Sequence, residues 1–198
     1  KKKINKFEDD AVSNQIIAKY GAIIQGGEEV LEKLETFETL SVSPSLDIAL
    51  GGGIREGNCV IIGGEPKTGK TTTALYFAAK CQALGKNIIY FNTEGRMTKE
   101  NFTGIKGFDP KKIKIVQATD EMPLVSAEVY LNSLETYVKN TPDLVAIVDS
   151  VSSMVPQEEL EGEIRTGVRN SLPRLMSMFL KRISGDVSRT KAILIFIT

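Results

Sequence analysis

Apolar residues recur along the chain with two different spacings, which predict strands and helices in alternation. Five short apolar runs have the length of strands, and they cover residues 59–62, 87–91, 113–116, 144–148 and 192–197. Three longer segments carry apolar residues at helical spacing and cover residues 72–80, 126–139 and 172–183. Because strands that alternate with helices form parallel sheets, we predict an α/β fold with a mostly parallel sheet and helices on both faces.

The N-terminal part of the chain follows a different pattern. Residues 11–20 and 28–34 predict two short amphipathic helices, separated by a pair of glycines. Residues 41–50 contain a Ser-Pro pair and precede three consecutive glycines, which predicts a turn-rich approach to the first core strand. We therefore expect an N-terminal helical and linker segment over residues 1–40 and a core domain over residues 41–198.

Composition narrows the class of protein and the kinds of site it can carry. The 198 residues are 41% hydrophobic, and the formal net charge is zero, so any nucleic-acid site must be a local basic patch. Cys59 and Cys81 lie in apolar runs, which predicts buried free thiols and a reducing cytoplasm. The chain has no histidine, which disfavours a structural zinc site. No apolar run is long enough to span a membrane.

A complete phosphate-binding loop, G-x-x-x-x-G-K-[ST], occupies residues 64–71. It lies between the run at 59–62, which predicts a buried strand, and the helix predicted from Thr72, so a chance match in a glycine-rich turn is disfavoured. Lys70 is placed to reach the β- and γ-phosphates, and the Thr71 hydroxyl is placed to bind Mg²⁺. The candidate nucleotide contacts in this segment are Gly64, Glu65, Pro66, Lys67, Thr68, Gly69, Lys70, Thr71 and Thr72.

Two acidic residues follow predicted strands of the same sheet. Asp149 ends the run at 144–148, and a carboxylate there is typical of a second magnesium contact, although it could also cap a helix. Glu94 follows the run at 87–91, where it could deprotonate an attacking water or could be an ordinary exposed loop residue. The carboxyl ends of parallel strands share one edge, so we expect both acids near the phosphate-binding loop.

An acidic block and a basic block adjoin around glycines at 158–170, before a predicted helix. On that helix Arg174, Ser177 and Lys181 fall at positions i, i+3 and i+7 and share one face. This face could bind successive phosphates of a nucleic acid. Spacing alone favours an ordinary solvated helix face.

Several segments together resemble the RecA family of homologous-recombination ATPases. These matching segments, taken together in their order along the chain, are more specific than any one of them, and they cover about residues 15–198. They are residues 17–21, 45–51, the loop at 64–71, Glu94, residues 148–151, 160–164 and 194–197. Two departures indicate a divergent or phage-type member: residues 95–102 differ from the usual stretch after the glutamate, and Arg169 stands where an apolar side chain is common.

The resemblance implies an activity and a set of partners. A RecA-like protein binds ATP and Mg²⁺ between protomers of a helical filament on single-stranded DNA, and pairs that strand with homologous double-stranded DNA. Glu94 and Lys70 would be catalytic, Thr71 and Asp149 would hold the metal, and Phe102 would contact adenine. Residues 1–40 would link protomers. The DNA contacts would be Gly162, Arg165, Arg169, Asn170, Arg174, Ser177 and Lys181.

Two other functions remain open at this point. A hexameric helicase or a circadian-clock-type regulator has a related ATPase fold, and a recombination mediator would bind nucleotide without hydrolysing it. We expect the protein to act in a bacterial cytoplasm or a phage-infected cell, with no membrane partner. Because the chain stops at Thr198, just after a strand, we expect the core domain to continue further in the natural protein.

Overall fold

The computed structural model describes residues 10–161 and 171–198. The chain divides into two compact units, Lys1–Glu38 and Thr39–Thr198. The boundary lies directly before the first strand, so every strand of the described residues belongs to the second unit.

The first unit consists of two short helices, α1 (Ala11–Tyr20) and α2 (Gly27–Glu35). The Asp10 carboxylate caps α1 by accepting a hydrogen bond from the backbone N–H of Val12 at 3.1 Å. Neither helix has a buried residue. Among residues 10–38, the large exposed apolar residues are Val12, Ile17, Tyr20, Ile23, Ile24, Val30, Leu31 and Leu34.

The second unit is built on a five-stranded parallel sheet, which confirms the predicted fold class. Two short strands, β1 (Thr39–Leu40) and β2 (Ile54–Arg55), form a separate antiparallel pair before it in the chain. The strands of the main sheet are β3 (Cys59–Ile62), β4 (Asn87–Asn92), β5 (Ile113–Val116), β6 (Leu144–Asp149) and β7 (Ile193–Ile197). They lie in the order β3-β7-β6-β4-β5, so β6 is the middle strand.

Six α-helices and two short 3-10 helices, Pro110–Lys112 and Val151–Ser153, complete the described part of the second unit. The α-helices are α3 (Pro44–Leu50), α4 (Lys70–Ala83), α5 (Lys99–Thr103), α6 (Ala127–Asn140), α7 (Gln157–Glu161) and α8 (Ser171–Thr190). None of the helices formed by the described residues is both long and apolar enough to cross a membrane.

Each face of the sheet packs against its own helices because successive strand residues point to opposite sides. On one face, Tyr90 and Ile147 belong to a cluster with Leu75 and Phe77 of α4. On the other face, the alternate strand residues pack against apolar residues of α6 and α8. All six residues of β6 are buried, so the end of this strand is held rigidly between two cores.

Pro44–Leu50 form a helix within the segment 41–50, for which the sequence pattern predicts a turn-rich approach. Ser43 provides the N-terminal cap of α3, and proline follows it at the first helical position. The Asp47 carboxylate accepts a hydrogen bond from the Ser41 hydroxyl at 2.6 Å. The prediction is wrong because serine and proline mark helix starts as well as turns.

The first core strand is less buried than its sequence predicts. β3 lies at the edge of the sheet in the described residues, and its positions alternate between exposed and half-buried. Ile61 is 70% exposed. Both cysteines are free thiols as predicted, but only Cys81 is buried, where burial raises its pKa to about 12. The prediction of a buried thiol is wrong for Cys59.

Candidate nucleotide-binding site

The phosphate-binding loop connects β3 to α4, as its motif requires. Gly69 precedes the helix in the left-handed conformation, at a φ of 91°, which glycine adopts without steric cost. The Thr68 hydroxyl donates a hydrogen bond to the Glu65 carbonyl at 2.8 Å and closes the turn. The Lys70 ammonium donates to the carbonyls of Gly64 and Glu65 at 2.7 and 2.9 Å. The lysine therefore lies folded over the mouth of the loop.

The Asp149 carboxylate joins the helix after the loop to the middle strand. Its Oδ2 atom accepts hydrogen bonds from the hydroxyls of Thr71 and Tyr90, each at 2.6 Å. Tyr90 is 2% exposed, and burial together with the bond to Asp149 raises its pKa, so it remains a neutral donor. The sequence places Thr71 and Asp149 78 residues apart in the chain, yet the structure brings them together as predicted.

Glu94 is fixed beside Asp149 by the backbone. The N–H groups of Thr93 and Glu94 both donate to the Asp149 carbonyl, at 3.0 and 3.3 Å. The Glu94 carboxylate accepts a hydrogen bond from the Ser150 hydroxyl at 2.9 Å, and this hydroxyl also contacts that of Ser152 at 2.9 Å. The peptide bond between Asp149 and Ser150 is cis. The two predicted acids thus lie at adjacent strand ends.

A cavity of about 640 Å³ opens at this edge of the sheet. It brings together most of the predicted loop residues, both acids and the end of β7. Its charged side chains are three cations and two anions, which favours an anionic ligand. The lining residues are Gly64, Pro66, Lys67, Gly69, Lys70, Thr71, Thr72, Glu94, Arg96, Asp149, Ser150, Ser152, Ile197 and Thr198.

The oxygen atoms at this cavity suit magnesium better than a softer metal. The Thr71 hydroxyl and the Asp149 carboxylate are hard oxygen donors, and Mg²⁺ takes few protein ligands beside phosphate and water oxygens. Within residues 10–161 and 171–198 there is no cluster of three or more histidine, cysteine, aspartate or glutamate side chains that could hold a metal alone.

Some predicted nucleotide contacts are not brought to the cavity. Glu65 and Thr68 are joined by a hydrogen bond within the loop and do not line the cavity. Phe102 stacks on Phe108, with ring centroids 5.6 Å apart and planes at 16°, and packs against the core of the α4 face. The half-buried ring of Phe102 is therefore engaged by Phe108 and is absent from the cavity lining.

Sequence reasoning missed six residues of the site: Tyr90, Arg96, Ser150, Ser152, Ile197 and Thr198. The signal for Tyr90 is its position two residues before the end of β4, next to the strand that ends in Asp149. Ser150 and Ser152 directly follow that aspartate. Arg96 follows Glu94 by two residues, and only the turn between them brings it to the cavity.

The predicted DNA contacts are only partly described. Gly162, Arg165, Arg169 and Asn170 lie outside the described residues. Arg174, Ser177 and Lys181 are exposed on α8, whose opposite side buries Phe179, Ile183 and Val187. The shared exposed face predicted from their spacing is therefore present.

Two of these three residues differ in their charged surroundings. Arg174 lines a groove of about 780 Å³ with Glu128, Glu158 and Glu161. In the part of the chain that the structure describes, neither Arg174 nor Lys181 forms an ion pair. Lys181 lies on the same exposed face of α8 but does not line this acidic groove.

Comparison with known proteins agrees with this arrangement of elements and residues. A family model described as the RecA N-terminal domain matches residues 9–198. Protein RecA of Chloroherpeton thalassium is 34% identical over 178 residues, which are 89% of this chain and 47% of that protein. Protein RecA of Clostridium acetobutylicum is 32% identical over 191 residues, which are 95% of this chain and 52% of that protein.

A third relative gives the same result. Protein RecA of Synechocystis sp. is 31% identical over 177 residues, which are 89% of this chain and 48% of that protein. The chain thus spans about half the length of these curated relatives. With a matching family model over nearly its whole length, the chain belongs to the RecA family.

Proposed function

We propose that this chain is the ATP-binding and ATP-hydrolysing core of a homologous-recombination protein. The observation that carries the proposal is the cavity in which the phosphate-binding loop, the Thr71–Asp149 pair and Glu94 meet. Family membership supports action on DNA, and the exposed face of α8 offers cations for it. The protein would assemble as a filament on single-stranded DNA and pair it with homologous double-stranded DNA in the cytoplasm.

The loop would bind the phosphates of ATP. Its backbone amides lie at the N-terminus of α4, where the helix dipole favours an anion. Lys70 would leave the carbonyls of Gly64 and Glu65 and contact the phosphates instead. Thr71 and Asp149 would hold Mg²⁺, which when bound neutralises part of the phosphate charge.

Glu94 would act as the general base. Its carboxylate lines the cavity and can accept a proton from a water that attacks the terminal phosphate. The Ser150 hydroxyl binds one oxygen of this carboxylate, which leaves the other for the water. The two backbone bonds to the Asp149 carbonyl fix the base relative to the metal ligands.

The surfaces outside the cavity would serve assembly and DNA binding. The exposed apolar residues of the first unit are candidates for contact with a neighbouring protomer. Arg174, Ser177 and Lys181 would contact DNA together with the predicted residues between α7 and α8.

Replacement of the base tests the proposal. In the full-length protein with single-stranded DNA, Glu94→Gln should reduce the single-turnover rate of ATP hydrolysis by at least about a hundredfold, because glutamine cannot accept the proton. ATP affinity should stay within about twofold, since the side chain keeps its size. Glu100→Gln makes the same change on exposed α5, outside the cavity, and should leave the rate unaltered.

Three other results would contradict the proposal. An unchanged rate in Glu94→Gln would remove this residue as the base. Hydrolysis by wild-type rings without stimulation by DNA would favour a helicase or a clock-type ATPase. Nucleotide binding with no hydrolysis in the wild-type protein would favour a recombination mediator.

A further inference from the structure

Arg96 is a charged residue that lines the cavity. It belongs neither to the phosphate-binding loop nor to the pair of acids, and the proposed function gives it no role. The chain leaves β4 after Asn92, and the amides of Thr93 and Glu94 fix it against the Asp149 carbonyl. Gly95 then turns the chain with a φ of 66°. The next side chain, Arg96, is exposed and lines the cavity.

The Arg96 guanidinium has no anionic partner among the described residues. It forms none of the ion pairs between residues 10–161 and 171–198. The nearest acid in sequence, Glu94, accepts its hydrogen bond from Ser150 instead. A guanidinium at the wall of a cavity, with five donors and no ion-pair partner among the described residues, is suited to a ligand that carries an oxyanion.

The sheet order places this cation on the side of the cavity opposite the loop. The loop follows β3, whereas Arg96 follows β4, and β7 and β6 lie between these two strands. At ordinary strand spacing the ends of β3 and β4 are therefore about 14 Å apart. The loop and Lys70 supply charge at one side only, and Lys70 is bonded to carbonyls of the loop itself.

The position of the base identifies which phosphate Arg96 would meet. The proposed base, Glu94, must lie next to the terminal phosphate, because the attacking water reacts there. Arg96 follows this residue by two positions and lines the same cavity. We infer that Arg96 binds the terminal phosphate of the nucleotide from within the same protomer, so that this chain discriminates ATP from ADP with its own arginine. The inference rests on the proposed function.

A comparison of two nucleotides tests the inference in the full-length protein. The affinities of a non-hydrolysable ATP analogue and of ADP, both with Mg²⁺, are measured by calorimetry. Arg96→Ala should lower the affinity for the analogue by about tenfold or more, as expected when a charge-assisted hydrogen bond is removed. It should change the affinity for ADP by less than about twofold. Arg96→Lys keeps the positive charge but loses the planar, bidentate donors of the guanidinium. It should recover part of the affinity for the analogue.

Lys99→Ala is the matched control, because it removes an exposed cation three residues further along that does not line the cavity. It should leave both affinities unchanged. The inference would be overturned if Arg96→Ala lowered the affinities for the analogue and for ADP equally, or lowered neither. Either result would leave the nucleotide site in place. A wild-type protein that binds neither nucleotide would overturn the proposed function, and this inference with it.

Discussion

A single oxygen atom, Oδ2 of Asp149, connects two elements of the site. It accepts hydrogen bonds from a hydroxyl of α4 and a hydroxyl of β4, each at 2.6 Å. These bonds fix the rotamer of the carboxylate before any ligand arrives. A metal ligand that is already oriented loses less conformational entropy when the metal binds.

We expect Tyr90→Phe to loosen this carboxylate without changing the packing of the ring. Loss of the hydrogen bond to a charged acceptor should lower the free energy of unfolding by about 1.5–3 kcal/mol. It should also raise the Mg²⁺ concentration needed for half-maximal nucleotide binding, which a titration with a fluorescent nucleotide measures.

Tyr130→Phe is the control for this experiment, because Tyr130 is also buried but belongs to the core cluster on the other face of the sheet. It should leave the Mg²⁺ requirement unchanged. If both variants shift the Mg²⁺ requirement equally, the hydroxyl of Tyr90 has no specific effect on Asp149.

At the level of single residues, the sequence predicted the parts of the site that have a fixed spacing. The loop at 64–71 needs one strand before it and one helix after it, and both are local features. The position of Phe102 depended instead on Phe108, which stacks on it across an intervening turn. Nothing in the local pattern decides whether an aromatic ring packs inward or faces a ligand, so neither this stacking nor the place of Arg96 could be predicted.

Among the elements, α8 shows why predicted boundaries fall short. The sequence predicts a helix over 172–183, but α8 continues to Thr190. Its buried residues Phe179, Ile183 and Val187 recur every four positions, so packing against the sheet continues through Gly185. A glycine inside a helix costs about 1 kcal/mol relative to alanine, which the burial of a valine side chain offsets.

The first unit gives a prediction for assembly at the scale of elements. Removing residues 1–38 should weaken nucleotide- and DNA-dependent polymerisation while leaving the second unit folded, because both core clusters consist of residues from position 40 onward. Light scattering measures assembly, and circular dichroism measures thermal unfolding. The double substitution Ile23→Ser and Ile24→Ser changes two exposed residues of the same unit and should act in the same direction.

Lys19→Ala and Lys33→Ala remove exposed charges of the same unit and serve as controls that should leave assembly unaltered. A truncated protein that polymerises at the wild-type concentration would show that the first unit does not link protomers. Unfolding of the truncated protein would show instead that this unit contributes to the stability of the second.

For the whole molecule, a formal net charge of zero means that DNA affinity must come from local cations. Replacing Arg169, Arg174 and Lys181 by alanine should weaken single-stranded DNA binding and leave nucleotide binding intact. The slope of log affinity against log salt should flatten by about 0.7 for each DNA phosphate that the variant no longer neutralises. Fluorescence anisotropy at several salt concentrations measures the slope.

The matched control removes cations that already have partners. Arg182 bonds Glu135 and Arg189 bonds Asp186, each at 2.9 Å, so their replacement should leave the salt slope unchanged. A triple variant that loses stability but keeps the wild-type slope would mean that its cations pair with acids of the chain, as the acidic groove around Arg174 allows.

The burial of β6 connects the proposed ligand to amide hydrogen exchange in the middle of the sheet. This strand lies in the middle of the sheet, all six of its residues are buried, and its last residue is Asp149. Its amide hydrogens can exchange with deuterium from the solvent only when the sheet opens, and opening also destroys the cavity. At a nucleotide concentration of about 100 times Kd, exchange in β6 should therefore slow by about a hundredfold. Exposed helices such as α7 should exchange at the same rate with and without nucleotide, so mass spectrometry of peptides from the deepest strand would report occupancy of a site at the surface.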